Sequence, residues 1–334
     1  MSHIGRPKGK VVNGMTLKPI SEKLSHLLQK NVFFSKDLIS EKTLLEINKI
    51  PNESILMLEN IRFNEGEEKN DSKFSKKIST LGDLYINDAF SCSHRSHASV
   101  EGITKYIPSY FGLQINEEIN ALKKITSEIK KPISLIIGGS KISTKIKIIN
   151  NLIKKFNNII IVGGMANTML KHSGINVGSS ICEYECGPLI KEIKENSKKY
   201  NCEITVPKDV IVSESLNGSG KQKNINNVEQ NEMILDIGSE TISMIKKIIN
   251  KSETVLWNGP AGYFENPNFQ NGTKEILELI SQRTKNEKIF SVAGGGETVA
   301  AINKFKKFDS FTFVSTAGGA FLEYLEGKTL PAIK

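Results

Sequence analysis

The chain has 334 residues, 38% of them hydrophobic and 24% charged, a balance expected of a globular protein of about two domains. Its formal net charge is +9, yet the only arginines are Arg6, Arg62, Arg95 and Arg283 and the lysines are scattered without a basic stripe, which argues against a nucleic-acid partner. No apolar run nears the ~20 residues of a membrane span, and the first residues lack the apolar core of a secretory signal, so the expectation is a cytoplasmic protein with no membrane partner.

The chain opens on MSHIGRPKGK, where His3 and Arg6 flank Gly5 and precede Pro7. Such a run reads as a loop at the end of a strand, holding polar side chains for work. Strands are expected over 32–37, 54–62 and 84–90, followed by SHRSH at 93–97. A helical pattern over 115–129 then leads to Lys130, Lys131 and Pro132 and reads as a connection between two lobes. Five apolar, β-branched runs ending in glycine follow at 133–141, 159–167, 254–262, 289–298 and 311–320. The runs are continuous rather than alternating, so both faces are expected to be buried. Most lead into helix-compatible sequence, which predicts a parallel α/β sheet with its loops gathered on one carboxyl edge.

Cys182 and Cys186 form a lone C-x3-C pair with no second pair of ligands, so these, Cys92 and Cys202 read as reduced thiols rather than a zinc site. In GGSKISTK (138–145), Lys141 and Lys145 stand four apart; on a helix they would share a face beside free backbone amides, a site suited to phosphate. The spacing of a Walker A loop is absent. VAGGGETVAA (292–301) puts Gly295, Gly296, Glu297 and Thr298 at a predicted helix start, where glycine admits a phosphate and a carboxylate suits Mg²⁺. WNGPAGYFE (257–265) offers Asn258 and Glu265, an acidic residue of the kind that takes ribose hydroxyls. Arg95 lies between two histidines, and its planar fork suits a carboxylate or phosphate. The absence of G-x-G-x-x-G weakens a dinucleotide-dependent oxidoreductase reading.

Taken in order, SHIGRPKG, LENIRFNEGEE, YINDAFSCSHRSHAS, GGSKISTK, VGGMANTMLK, LWNGPAGYFE, AGGGETVAA and STAGGAFLEYLEGKTLP resemble the blocks of phosphoglycerate kinases over almost the whole chain. The resemblance implies two doubly wound α/β lobes joined by a helix: a first lobe over 1–112, a connecting helix over 113–130, a nucleotide lobe over 131–315, and a terminal segment, 316–334, returning to the first lobe. It implies a monomeric, Mg²⁺-dependent enzyme of glycolysis that transfers a phosphoryl group between 1,3-bisphosphoglycerate and ADP, giving 3-phosphoglycerate and ATP. Hinge closure around the substrates would exclude water. The resemblance places His3, Gly5, Arg6, Arg95 and Lys131 on the phosphoglycerate and Lys141 on the transferring phosphoryl. It places Lys145 and Asn258 near the nucleotide phosphates, Gly163 and Gly164 at the adenine and Glu265 at the ribose. Gly295, Gly296, Glu297 and Thr298 would hold phosphates and metal, and Gly318 and Gly319 would present amides to the phosphoryl in flight. Three departures stand out: Glu297 where the family usually has Asp, Lys131 where it often has Arg, and Ser239 where it usually has Pro. The family also begins with two strands and a DFNVP-like turn before the SHIGRP loop. An incomplete first lobe, poorly ordered and with little activity, is therefore expected, the alternative being a non-catalytic ATP- or ADP-binding remnant.

Overall fold

The computed structural model describes residues 1–37 and 39–334, and the chain divides into two units, Met1–Asn116 with Thr329–Lys334, and Glu117–Lys328. The division falls within the connecting helix rather than at its ends.

The first unit contains α1 (Lys18–Leu28), β1 (Val32–Ser35), α2 (Glu41–Ile47), β2 (Ile55–Leu58), α3 (Glu65–Glu68), α4 (Ser72–Ser79), β3 (Tyr85–Asn87), β4 (Ser109–Phe111) and the start of α5 (Leu113–Thr126). All three strands expected here are shorter than the sequence pattern predicts, two of them where asparagines turn the chain. The Asn60 side chain accepts the Arg62 N–H at 3.1 Å and opens a 3₁₀ turn over Ile61–Phe63, while Asn87 Oδ1 accepts the Ala89 N–H at 3.1 Å. Such local bonds offer the backbone an alternative to the ladder. β1 pairs with β2 and β3 with β4, both in parallel, as two separate pairs and not the single doubly wound sheet expected. Leu58, Ile61, Ile78, Ala98 and Ile103 give this unit a core of its own. An apolar cavity of about 270 Å³ borders that core, between Leu56, Leu81, Tyr85 and Ile107.

The second unit runs through β5 (Ile133–Ile137), α6 (Ile146–Leu152), β6 (Asn158–Ile161), α7 (Gly163–Lys171), α8 (Gly187–Tyr200), β7 (Glu203–Thr205), β8 (Asp209–Ser213), β9 (Lys221–Asn224) and β10 (Met233–Ile237). It continues with α9 (Ser239–Lys251), β11 (Thr254–Asn258), α10 (Asn271–Lys285), β12 (Phe290–Gly294), α11 (Gly296–Lys304), β13 (Phe313–Ser315) and α12 (Gly319–Leu325). All five glycine-ended runs are strands of one parallel sheet, in the order β13-β12-β11-β5-β6-β7. Every residue of β5 and β11 is buried, as continuous apolar runs require. The antiparallel sheet β10-β8-β9 was not foreseen. Its edge strand, KQKN, carries no apolar alternation to read, and the register of β10 shifts at a bulge between Ile234 and Asp236.

Two helices of this unit are capped from a distance. Neither α9 nor α10 has a capping side chain of its own. Asp209 of β8 accepts the N–H groups of Glu240 (3.0 Å) and Thr241 (2.7 Å) and the Thr241 hydroxyl (2.7 Å). Asp236 of β10 accepts the Gly272 N–H at 2.7 Å. Each carboxylate satisfies amides that the helix leaves free and faces its positive end. Ser239, in place of the usual proline, receives the Gln222 amide at 2.8 Å, and Gln222 also reaches Asp209 at 2.9 Å. Asp209→Ala would leave this buried cluster of donors unpaired and is expected to destabilise the second unit by about 2–3 kcal/mol. A urea melt that matches wild type within error would refute it.

Candidate active site

The order of the large sheet reverses between β5 and β11: β5, β6 and β7 run outward one way, β11, β12 and β13 the other. In open parallel sheets ligands bind at such a switch point, outside the carboxyl ends of the strands. Five consecutive strands, β13-β12-β11-β5-β6, each end there in a loop bearing candidate residues.

The loops after β5 and β11 touch through bare backbone. The Gly138 N–H donates to the Asn258 carbonyl at 2.9 Å. A Cβ on Gly138 would lie 2.2 Å from the Pro260 carbonyl oxygen, and one on Gly259 would lie 2.4 Å from the Gly138 carbonyl oxygen. Gly259 also has φ +108°, which favours glycine. Trp257, fully buried, donates its indole N–H to the Gly259 carbonyl at 2.8 Å and so fixes the turn it precedes.

Lys145 folds back over this junction. Its ammonium donates to the Gly138 carbonyl at 2.6 Å and to Asn258 Oδ1 at 2.7 Å. Asn258, itself buried, passes the contact on through Nδ2 to the Gly294 carbonyl at 2.6 Å. The Gly259 N–H donates to Thr298 Oγ1 at 2.7 Å. One lysine, one asparagine and one threonine thus lock the loops after β5, β11 and β12 together. Burial lowers the Lys145 ammonium from 10.5 to about 8, and the field of Glu297 opposes this only in part.

Lys141 and Lys145 do not share a helix face as the spacing suggested. The chain turns at residues 142–145, where the Ile142 carbonyl accepts the Lys145 N–H at 3.0 Å, and α6 begins only at Ile146. Lys141 is left exposed while Lys145 turns inward. Gly163 and Gly164 open α7 against the β5 loop, where a Cβ on Gly164 would lie 2.9 Å from the Ser140 carbonyl oxygen. Glu297 is exposed at the start of α11, and Gly295 before it has φ +99°. Glu265 is exposed beyond β11. Gly318 (φ +55°) and Gly319 lead from β13 into α12. Ser315, at the end of β13, donates to the buried Glu118 at 3.2 Å. Burial lifts the Glu118 carboxyl to about 7 against that bond. Lys131 lies away from the glycine loops. It precedes β5, at the sheet edge opposite the glycine loops, and belongs to the second unit, whereas His3, Gly5, Arg6 and Arg95 belong to the first.

In the first unit the most deeply buried cation, Arg62, was assigned no role from the sequence. Arg62, with a side chain 4% exposed, donates Nη1 to the Gly5 carbonyl at 2.8 Å, while its Nε and Nη2 have no hydrogen-bond partner among the described residues. Its nearest carboxylate contact is Glu68, 3.7 Å from Nε. Asn60 fastens the same loop through the Ile4 carbonyl at 2.9 Å. His3 and His97 lie within the field of Arg62, and burial together with that charge lowers both below the ordinary histidine range. Cationic charge here therefore comes from arginine. Arg95 reaches its neighbour His94 at 3.3 Å, and Arg6 is exposed. The available signal for Arg62 was its scarcity, as one of four arginines lying in the quoted LENIRF block.

A parallel sheet with phosphate-suited glycine loops and lysines at its switch point in one unit, and an arginine–histidine cluster in the other, are features that suit a phosphotransferase of the α/β class. The phosphoglycerate kinase family model matches residues 1–328. The phosphoglycerate kinase of Wolbachia pipientis is 44% identical over 336 residues, covering 100% of this chain and 85% of that protein; that of Chelativorans sp. (strain BNC1) is 41% identical, with 100% and 84% covered. Among solved structures, phosphoglycerate kinase from Coxiella burnetii superposes with a TM-score of 0.89 at 37% identity, covering 99% of this chain and 84% of that one. The chain belongs to the phosphoglycerate kinase family, and its activity is that of a kinase transferring phosphate to and from a carboxyl group, with ATP and ADP as substrates. The matches take in the whole of this chain, so they support neither the expected truncation nor the expected loss of activity, and an incomplete first lobe is not confirmed.

Lys145 is predicted to leave a pH signature on stability. Its folded value lies below its unfolded one, so between pH about 8 and 10.5 the unfolded chain binds more protons and stability rises with pH. Lys145→Met removes that rise. If denaturant melts of wild type and variant show the same slope across this window, the assignment is wrong.

Proposed function

We propose that the second unit holds the nucleotide along the carboxyl edge of its sheet and that the first unit holds phosphoglycerate at His3, Gly5, Arg6, Arg62 and Arg95. The observation that carries this reading is Lys145: a half-buried ammonium at the switch point with two of its three donors on Gly138 and Asn258. Its third proton is available to a phosphate oxygen. Thr298 accepts from Gly259, which leaves its own hydroxyl proton free to donate. Asn258 acts by holding Lys145, and both of its amide atoms are already engaged. Gly163 and Gly164 make room for adenine, Glu265 accepts ribose hydroxyls, and Gly295 and Gly296 let backbone approach the phosphates.

In the transfer, the bond between the phosphorus and the acyl oxygen of 1,3-bisphosphoglycerate breaks as a β-phosphate oxygen of ADP bonds to the same phosphorus. No protein nucleophile is required, and the task is positioning and neutralisation of charge. Lys141, free and exposed, meets the transferring phosphoryl, and the amides of Gly318 and Gly319 assist it. Glu297 would hold Mg²⁺, which when bound screens charge on phosphate oxygens. Among the described residues no group of three or more His, Cys, Asp or Glu could hold a metal ion. That suits an ion bound by one carboxylate and by substrate phosphates. A monomeric, cytoplasmic enzyme fits this reading.

Lys141→Met is expected to lower kcat by about 10²-fold or more with an unchanged melting temperature. Arg62→Met is expected to raise the KM for phosphoglycerate at least tenfold while sparing that for nucleotide. Steady-state kinetics in both directions would test each. Wild-type kcat in the first variant would remove Lys141 from the chemistry, and equal rises in both KM values in the second would make Arg62 merely structural.

A further inference from the structure

The loop that carries Lys141 and Lys145 is anchored at its two ends by Gly138 and Lys145, but its middle projects from the sheet and is largely exposed. Ile142 is buried beneath it. What grips its outer side is Glu183, in the segment between α7 and α8. Glu183 Oε1 accepts the Ser143 hydroxyl at 2.5 Å and Oε2 accepts the Ser143 N–H at 3.0 Å. The Glu183 backbone is fixed in turn, donating its N–H to Thr168 Oγ1 at 3.0 Å, and the Thr168 hydroxyl donates to the Gly164 carbonyl at 3.0 Å. Thr168 is fully buried in α7. A continuous path of hydrogen bonds therefore runs from Gly164, at the candidate adenine end, through Thr168, Glu183 and Ser143 to the lysine loop.

We propose that Glu183 is a positioning residue for phosphoryl transfer, holding the Lys141–Lys145 loop in register with the start of α7 through its two-point grip on Ser143. The proposal rests on the reading of Lys141 and Lys145 as phosphate-handling residues. A backbone N–H and a hydroxyl accepted by one ionised carboxylate are charge-assisted bonds, about twice as strong as neutral ones. Burial works against the Glu183 carboxylate, but bonds from Ser143, the Cys186 thiol and the Ile142 N–H outweigh it and hold the carboxyl below its ordinary range. The grip is therefore ionised throughout the neutral range. Among the described residues Lys141 has no side-chain anchor of its own, so the placement of its ammonium depends on the backbone that Glu183 restrains. Loss of the grip would leave adenine contacts in place and loosen the phosphate contacts. A shift of about 1 Å at such a group is enough to cost on the order of 10²-fold in rate.

The test uses the full chain and four variants: Glu183→Ala, Ser143→Ala, the double variant, and Lys141→Met as a control. Each is assayed for kcat and KM and titrated calorimetrically with ADP and with AMP, which lacks the β-phosphate. Glu183→Ala is expected to lower kcat/KM for ADP about tenfold and to weaken ADP more than AMP. Ser143→Ala should act in the same direction, and the double variant should be no worse than Glu183→Ala alone, because the two residues share one contact. Equal weakening of ADP and AMP would mean that Glu183 only supports the local fold. Multiplying effects in the double variant, or a Glu183→Ala enzyme within twofold of wild type, would equally overturn the proposal. If Lys141→Met is itself silent, the reading of the loop fails first. If Lys141→Met is damaging and Glu183→Ala is silent, only the positioning role fails.

Discussion

The second unit depends on one close approach, the packing of the Gly138 backbone against that of Gly259 where the sheet changes direction. Neither position admits a Cβ without backbone displacement. The loops after β5 and β11 therefore meet in direct contact at the switch point, and the Lys145 ammonium spans them. The buried Trp257 and the bridging Asn258 serve the same constraint, one from beneath the turn and one across to β12. The helices behind the sheet are secured independently by Asp209 and Asp236, so the rigid elements and the working edge draw on different residues.

Both candidate sites leave cationic groups incompletely paired. Lys145 is desolvated until its value falls to about 8. Arg62 keeps two unpaired donor groups in a buried position. In a core without function these would be costly defects. At sites that receive polyanionic substrates they are receptors, because the anion supplies the missing partner. The neutral state favoured for His3 and His97 follows from the same crowding of positive charge around Arg62. Stability and recognition thus oppose each other at a few named atoms, as is common where perturbed groups gather at functional sites.

The parts legible in the sequence were those written in local pattern. Continuous β-branched runs ending in glycine located five strands of the large sheet and the edge on which their loops gather, and the ordered blocks identified the family. Features that depend on tertiary pairing were not legible. KQKN joins a sheet only because β8 lies beside it, and the first unit forms two strand pairs where one sheet was expected. The i, i+4 spacing of Lys141 and Lys145 suggested a helix that Gly139 and the turn at Ile142 displace downstream. Lys131 precedes β5, at the end of the strand away from the glycine loops. The contacts of Arg62 and Glu183 were not legible because each bonds a partner more than 35 residues away in sequence, Gly5 for one and Ser143 for the other.

The central claim is that Lys145 is held at the switch point with its charge uncompensated until nucleotide phosphates arrive. The direct measurement is an NMR titration of the Lys145 ε-methylene group with and without saturating ADP. The account predicts a midpoint near 8 in the free protein and an upward shift of about one unit or more when ADP is bound, because the phosphate favours the charged form. An unchanged midpoint in the presence of ADP would contradict it.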